Sequence, residues 1–200
     1  MSQRVDLWVD PICPWAWITS RWLGEARQVR DLDVRYHVMS LAVLNEGRDL
    51  SPEYLEGLKK AWGPVRVLVA AQQRHGDKAV EPLYAAMGQR RHVEGDREND
   101  TVIAGALADV GLDADLAESA IGTEFDALVR SSHHQGMDPV GYEVGTPVIH
   151  IDGAAIFGPV VTPAPKGEAA GTLFDGVLAV INTPGFYELK RSRLLGPSFE

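Results

Sequence analysis

Cys13 is the only cysteine of the 200-residue chain and the side chain best suited to covalent chemistry. Pro14 follows it, and proline is favoured at the first helical position because its missing N–H would be unpaired there. Cys13 is therefore predicted to cap a helix, where the dipole lowers a thiol pKa from about 8.5 and favours the thiolate. Most lone cysteines are buried and inert, but this position favours a nucleophile. Asp10, just before it, would raise the thiol pKa or accept its proton, and the sequence leaves both effects open.

The spacing of apolar residues predicts the elements that position Cys13. Apolar and polar residues alternate from Val5 to Val9, which is the period of a strand, and helical spacing follows Cys13. Alternation returns from Leu32 to about Leu41, so the chain opens β-α-β with a parallel, right-handed crossover. Ligands of open α/β sheets bind beyond the carboxyl ends of strands, which is where Cys13 is expected.

The middle of the chain is predicted to be helical from about Ser51 to Gly136, and strands return after it. Among the helix signals are a start near Ser51, a further run from Pro64, a cap at Asp113 and a capping box from Thr123 to Asp126. Strand patterns at 148–151 and 154–157 flank a two-residue turn and predict a hairpin. A last helix is expected from about 165 to 182.

This element order predicts an α/β fold of the thioredoxin type that carries an inserted all-helical domain. Residues 1–45 and 137–200 would form the thioredoxin-like domain, and residues 46–136 would form the insertion.

The composition limits the classes of partner. A net charge of −9 argues against nucleic acid, which requires a basic face. Residues 1–6 lack the apolar region of a signal peptide, and no apolar run reaches the ~20 residues that span a bilayer. We therefore expect a cytoplasmic protein without membrane contact.

Two other groups of residues are interpreted as structural. Adjacent His133 and His134 would point apart on a helix, so no metal site is expected. The basic residues 190–193 are interpreted as solvated surface.

Several motifs resemble a known family. Cys13-Pro14-Trp15, Gly145-Thr146-Pro147 and the helical insertion together resemble the DsbA family of thioredoxin-fold proteins. Within that family, the chain is similar over essentially its whole length to the mycothiol-dependent nitroreductase group of actinobacteria. The segments that carry this similarity are 13–22, 37–41, 44–46, 61–66 and 157–160.

The resemblance implies roles for individual residues. Cys13 would be the nucleophile, and Thr146 and Pro147 would form a turn with a cis peptide bond that packs against the thiol and binds an extended thiol ligand. Trp15, Asn45 and His92 match substrate-pocket residues of the nitroreductase group and are candidate substrate contacts.

The chain departs from dithiol members of the family at Ala16, where they have a second cysteine. A resolving thiol would attack the mixed disulfide at Cys13, and alanine has no such chemistry. Ala16 is either the natural residue of a monothiol enzyme or a replacement for that cysteine, and the sequence fits both. In either case the chain as written cannot act as a dithiol protein-disulfide oxidase.

Three functions follow from these residues. The first is a mycothiol-dependent oxidoreductase or transferase that acts on a small electrophile, with mycothiol as cosubstrate and without a bound cofactor. The second is a cis/trans isomerase in which the thiolate of Cys13 adds reversibly to a conjugated double bond. The third is a non-catalytic thiol-binding module. The expected partners are a low-molecular-weight thiol and a small-molecule substrate; delivery of that substrate by a carrier protein and homodimer formation are left open.

Overall fold

The computed structural model describes residues 2–200 and contains one four-stranded sheet in the order β2-β1-β3-β4. The central strand β1 (Gln3–Val9) pairs in parallel with β2 (Leu32–Val38). On its other side it pairs antiparallel with β3 (Val148–Ile151), which pairs antiparallel with β4 (Ala154–Phe157). The predicted β-α-β opening and hairpin are therefore confirmed.

The helices surround the sheet and form the block between β2 and β3. They are α1 (Pro14–Ala26), α2 (Leu41–Leu44), α3 (Pro52–His75), α4 (Val80–Gly88), α5 (Asn99–Val110), α6 (Asp126–Met137) and α7 (Gly167–Ile181). A π-helical turn continues α4, and short 3₁₀ segments precede α4 and α6. The thioredoxin-like fold with helices inserted after β2 agrees with the sequence-based prediction. Within residues 2–200, no helix is both long and apolar enough to cross a membrane.

The alternation of β1 divides the apolar contacts between the two faces of the sheet. Leu7 is fully buried in the main core, which includes α1 and α7 and extends into α3, α4 and α5. Trp8 faces the opposite side, where its indole N–H donates to the Ser132 carbonyl of α6 at 2.8 Å. Because the main core continues from the sheet into the inserted helices, the insertion and the thiol turn share one packed interior. The proposed domain boundaries stay a prediction.

The helix α3 runs through Pro64, whereas the sequence patterns suggested separate segments. Proline lacks the N–H that would bind the carbonyl of Lys60 one turn earlier. That carbonyl instead accepts a hydrogen bond from the side-chain amide of Asn99, at 2.7 Å. A side chain of α5 thus replaces the missing backbone donor, and the helix continues.

The helix cap predicted at Thr123 is wrong. Phe125, not Thr123, is the N-cap residue of α6, and within residues 2–200 no side-chain bond caps that helix. Asp126, the carboxylate of the expected capping box, instead pairs with Arg66 of α3 at 2.6 Å. Asp113 is the N-cap residue of the 3₁₀ segment Ala114–Ala120, as predicted, but its side chain makes no cap bond among residues 2–200 and its carboxylate lies 3.2 Å from Nε2 of His75. In both cases an ionic contact between helices engages the carboxylate that the local pattern assigned to a cap.

Candidate functional site

The structure places Cys13 at the N-cap of α1, as predicted, with Pro14 in the first turn. Its sulfur accepts a hydrogen bond from the backbone N–H of Ala16, and its thiol donates to the carbonyl of Thr146, both at 3.5 Å. The side chain is only 6% exposed. A neutral thiol, which both donates and accepts, satisfies this arrangement.

The expectation that the thiol pKa is lowered is wrong for this arrangement. Burial raises the pKa of Cys13 to about 12, and the charge of Asp10 adds to the rise. The N–H groups of Ala16 and Trp15 and the charge of Arg193 act in the opposite direction, with a smaller combined effect. The helix N-terminus is present as predicted, but the loss of water around the sulfur outweighs it.

Asp10 is fully buried beneath the turn that carries the cysteine. One carboxylate oxygen accepts the N–H of Ile12 at 3.0 Å, and the other accepts the N–H of Leu41 at 2.7 Å. Burial raises the pKa of Asp10 to about 6 despite these hydrogen bonds. Since both oxygens bind backbone N–H groups, Asp10 connects the thiol turn to the start of α2 and acts on the sulfur through its charge.

The peptide bond between Thr146 and Pro147 is cis, as the resemblance implied. The hydroxyl of Thr146 donates to the carbonyl of Trp8 at 3.0 Å and so attaches this turn to the end of β1. The carbonyl of Pro147 accepts the N–H of Gly158 at 2.8 Å. The turn is thereby positioned on both sides, with the carbonyl of Thr146 facing the thiol.

His92 lies in the π-helical turn after α4 and is buried beside the thiol turn. Its Nε2 lies 2.9 Å from the carbonyl of Pro11, which can only accept, so Nε2 carries the proton. Burial lowers the pKa of His92 to about 4 and keeps the ring neutral. Its Nδ1 is buried and has no hydrogen-bond partner among residues 2–200. A neutral acceptor therefore lies next to the cysteine turn.

Trp15 and Asn45 have different surroundings. Trp15 is half-buried, and the guanidinium of Arg193 lies over its ring at 5.2 Å. Asn45 ends α2, and its side-chain amide donates to the carbonyl of Leu41 at 2.8 Å. It lines a groove of about 400 Å³ between α2 and α3, together with Trp62. The other lining residues are Ala42, Glu46, Gly47, Pro52, Leu55, Glu56, Leu58 and Lys59.

The structure thus brings most of the predicted site residues to one turn. Thr146 contacts the thiol of Cys13, and His92 binds the carbonyl of Pro11 in the same turn, which also contains Asp10, Pro14 and Trp15. Pro147 follows Thr146. Asn45 is linked to this turn through Leu41 and Asp10, and it also lines the groove between α2 and α3. In the described part of the chain, no group of three or more histidines, cysteines and carboxylates is arranged to hold a metal.

The end of the sequence contributes residues that sequence reasoning missed. Residues 190–193 are exposed, as predicted, yet the charge of Arg193 also acts on the thiol of Cys13. Farther along, Phe199 lies 5.5 Å from the ring of His92. No local pattern signals these contacts, because each joins residues that are more than 100 positions apart in the sequence.

Comparison with known proteins identifies the family. The Rv2466c-like family, described as mycothiol-dependent nitroreductase Rv2466c, matches residues 12–191. The uncharacterized protein Rv2286c of Mycobacterium tuberculosis is 30% identical over 192 residues, which cover 94% of this chain and 82% of that protein.

Solved structures agree in fold. The cytosolic disulfide reductase DsbM from Pseudomonas aeruginosa, solved with GSH, is 21% identical with a TM-score of 0.55, covering 88% of this chain and 99% of that one. A 2-hydroxychromene-2-carboxylate isomerase is 15% identical with a TM-score of 0.61, covering 88% and 93%. The chain is therefore a thiol-dependent enzyme with a DsbA-like thioredoxin fold, and it belongs to the Rv2466c-like family of mycothiol-dependent nitroreductases.

Proposed function

We propose that the protein is a monothiol oxidoreductase in which Cys13 is the nucleophile and mycothiol is the external thiol. The observation that carries the proposal is the position of the sulfur. It lies at the start of α1, against the backbone of Thr146 and Pro147, while Ala16 occupies the place of a resolving cysteine. A second thiol must then come from solution, and a small thiol supplies it.

The proposed redox cycle balances with two thiols for each two-electron step. Cys13 and one mycothiol together give up two electrons and two protons, and they become a mixed disulfide. A nitro group accepts these two electrons and two protons, and it is converted to a nitroso group with release of one water molecule. A second mycothiol thiolate then attacks the mixed disulfide, forms mycothiol disulfide and releases the Cys13 thiolate, which takes up a proton.

The surroundings support a planar electrophile of small size. Trp15 offers an aromatic face beside the sulfur, and the groove at Asn45 and Trp62 has room for a ring system of moderate size. His92 is neutral, and its buried Nδ1, which has no partner among residues 2–200, would accept a hydrogen bond from a substrate that enters the site. We assign Trp15, Asn45 and His92 to substrate binding, and Thr146 with Pro147 to binding the thiol backbone.

Exposure to mycothiol disulfide tests the proposal. Incubation should add the mass of one mycothiol to the protein, and peptide mapping should place it on Cys13. Cys13→Ser should gain no mass, and excess reduced mycothiol should remove the adduct from the wild type. Absence of an adduct between pH 7 and pH 10 would refute a role of Cys13 in mycothiol chemistry.

The isomerase function is a second candidate, favoured by the lone cysteine and by the structural similarity to an isomerase. Addition of the Cys13 thiolate to a conjugated double bond, rotation about the resulting single bond and elimination of the thiolate require no second thiol. It predicts turnover of a conjugated cis-enoyl compound without any added thiol, and loss of turnover in Cys13→Ser. A strict need for mycothiol would exclude the isomerase function.

The non-catalytic alternative is not retained, since the family is enzymatic. Delivery of the substrate by a carrier protein, homodimer formation and a cytoplasmic location stay predictions.

A further inference from the structure

The chain after α7 returns to the thiol site without forming a helix or strand within the described residues. We call residues 193–199 the strap. At its start, Arg193 lies 5.2 Å over the ring of Trp15. Near its end, the N–H of Ser198 donates to the hydroxyl of Thr162 at 2.8 Å, and Phe199 lies 5.5 Å from the ring of His92. The strap therefore contacts both aromatic residues that flank the cysteine turn.

Few contacts hold the strap in place. Phe199 and Ser198 are half-buried, and Phe199 packs against the main core. Between the two ends, Leu194 is 91% exposed and Leu195 is 70% exposed. A segment with so little buried surface opens at a small free-energy cost compared with the packed helices.

We propose that the strap is a reversible cover of the active site, seen here in its closed position, and that it must leave before Cys13 can react. Phe199 occupies the space against His92, and Arg193 covers Trp15, so the chain itself uses two of the three proposed substrate contacts. Thiol and electrophile would bind to the open state, and the closed fraction would reduce their apparent affinity. The proposal concerns access to the sulfur and holds for whichever reaction the sulfur performs. The strap also lies beyond residues 12–191, which the family match covers.

The electrostatics of the sulfur agree with such a cover. Burial is the largest cause of the raised pKa of Cys13, while the Arg193 charge acts against it and the Asp10 charge adds to it. The proposal requires that water reaches the sulfur when the strap leaves, and the contribution of Arg193 is then lost. Because burial has the larger effect, the thiol pKa falls and the thiolate forms more readily.

Alkylation of Cys13 measures the opening directly. The rate of reaction with iodoacetamide at pH 8 should increase about tenfold in Phe199→Ala, which removes the ring that packs against His92. Thr162 lies outside the strap, and Thr162→Val removes the hydroxyl that accepts the N–H of Ser198. This substitution should increase the alkylation rate about threefold. Leu195→Ala is the matched control, because it shortens a strap side chain that is largely in water, and its rate should stay within about twofold of wild type.

Two results would overturn the proposal. Equal rates in the wild type, Phe199→Ala and Thr162→Val would show that the strap does not limit access. A wild-type rate that increases with urea in proportion to global unfolding would show that the sulfur is exposed only when the protein unfolds. Rates that increase in both variants and stay independent of low urea concentrations support the cover. Since iodoacetamide needs no mycothiol, this test and that of the proposed function can fail separately.

Discussion

The thiol of Cys13 donates a hydrogen bond to the carbonyl oxygen of Thr146, across 3.5 Å. A thiolate has no proton to donate, so this contact belongs to the neutral side chain and is lost on ionisation. Thr146 is itself attached to the end of β1 through its hydroxyl. The resting site therefore stabilises the unreactive form of its own nucleophile.

The alkylation rate of the wild type should increase with pH beyond the range of an ordinary thiol. Because burial raises the pKa of Cys13 to about 12, the thiolate fraction keeps rising, about tenfold per pH unit, through pH 9. A cysteine peptide with blocked, uncharged termini is the control, and its rate should increase less than tenfold per pH unit near its pKa of about 8.5 and level off above it. A plateau of the protein's rate below pH 8 would contradict this prediction.

Asp10→Asn should increase the alkylation rate above pH 6 by roughly threefold to tenfold. The substitution removes a charge that raises the pKa of Cys13 and retains one oxygen as an acceptor for a backbone N–H. Since burial raises the pKa of Asp10 to about 6, wild type and variant should react alike below that pH, where the carboxyl is protonated. The measurement is a pair of pH–rate profiles; a constant ratio from pH 5 to pH 9 would contradict a charge effect.

Ala16→Cys should restore a resolving thiol. The backbone N–H of Ala16 already binds the sulfur of Cys13, so a thiol at this position lies within the same helical turn. The mycothiol adduct on Cys13 should then disappear without added thiol and leave an internal disulfide, detected as a loss of two hydrogens in the intact mass. Ala16→Ser is the matched control and should retain the adduct, because a hydroxyl does not attack disulfides. Equal adduct lifetimes in both variants would contradict the prediction.

The protein should lose stability between pH 6.5 and pH 4. Burial lowers the pKa values of His92 and His133 to about 4, so both rings remain neutral when folded and charge more readily when unfolded. Their stabilising contribution is complete above pH 6.5 and decreases as the pH falls to 4.

Asp10 acts in the opposite direction in this window, because its pKa is raised to about 6 and folding favours its protonated form as the pH decreases. With two histidines against one carboxyl, the net loss from pH 7 to pH 4.5 should be on the order of 3 kcal/mol by urea unfolding. The His133→Gln variant should lose less free energy of unfolding over the same pH range. Equal losses in the two proteins would show that His133 does not contribute.

Two glycines of neighbouring helices should respond in opposite directions to a single methyl group. A Cβ on Gly88 of α4 would overlap the ring of Trp17, whereas a Cβ on Gly24 of α1 meets no atom within 4 Å in the described residues. Gly88→Ala should lower the free energy of unfolding by about 1–3 kcal/mol, and Gly24→Ala should raise it by up to about 1 kcal/mol. Urea unfolding provides both values, and a destabilised Gly24→Ala would contradict the second.

The sequence predicted what depends on local patterns and on shared motifs. The cap at Cys13, the hairpin and the cis bond before Pro147 are all present. The ionisation of the thiol was predicted wrongly, because its burial comes from residues that are distant along the chain, such as Thr146. The cap expected from Thr123 was wrong for a similar reason, since Arg66 binds the carboxylate of Asp126 across the helices. Local sequence patterns indicate which groups are available for hydrogen bonds and ion pairs. Contacts between residues distant in the sequence determine which partners those groups bind.

The central strand β1 is synthesised first, but its antiparallel partner β3 begins only at Val148. Such distant pairing implies a high contact order, so the sheet closes late and after the inserted helices have left the ribosome. Until then the carbonyl of Thr146 is not beside the sulfur. A nascent chain therefore exposes Cys13 to oxidants and small thiols for most of its synthesis, and the finished fold restricts that exposure to the open state of the strap.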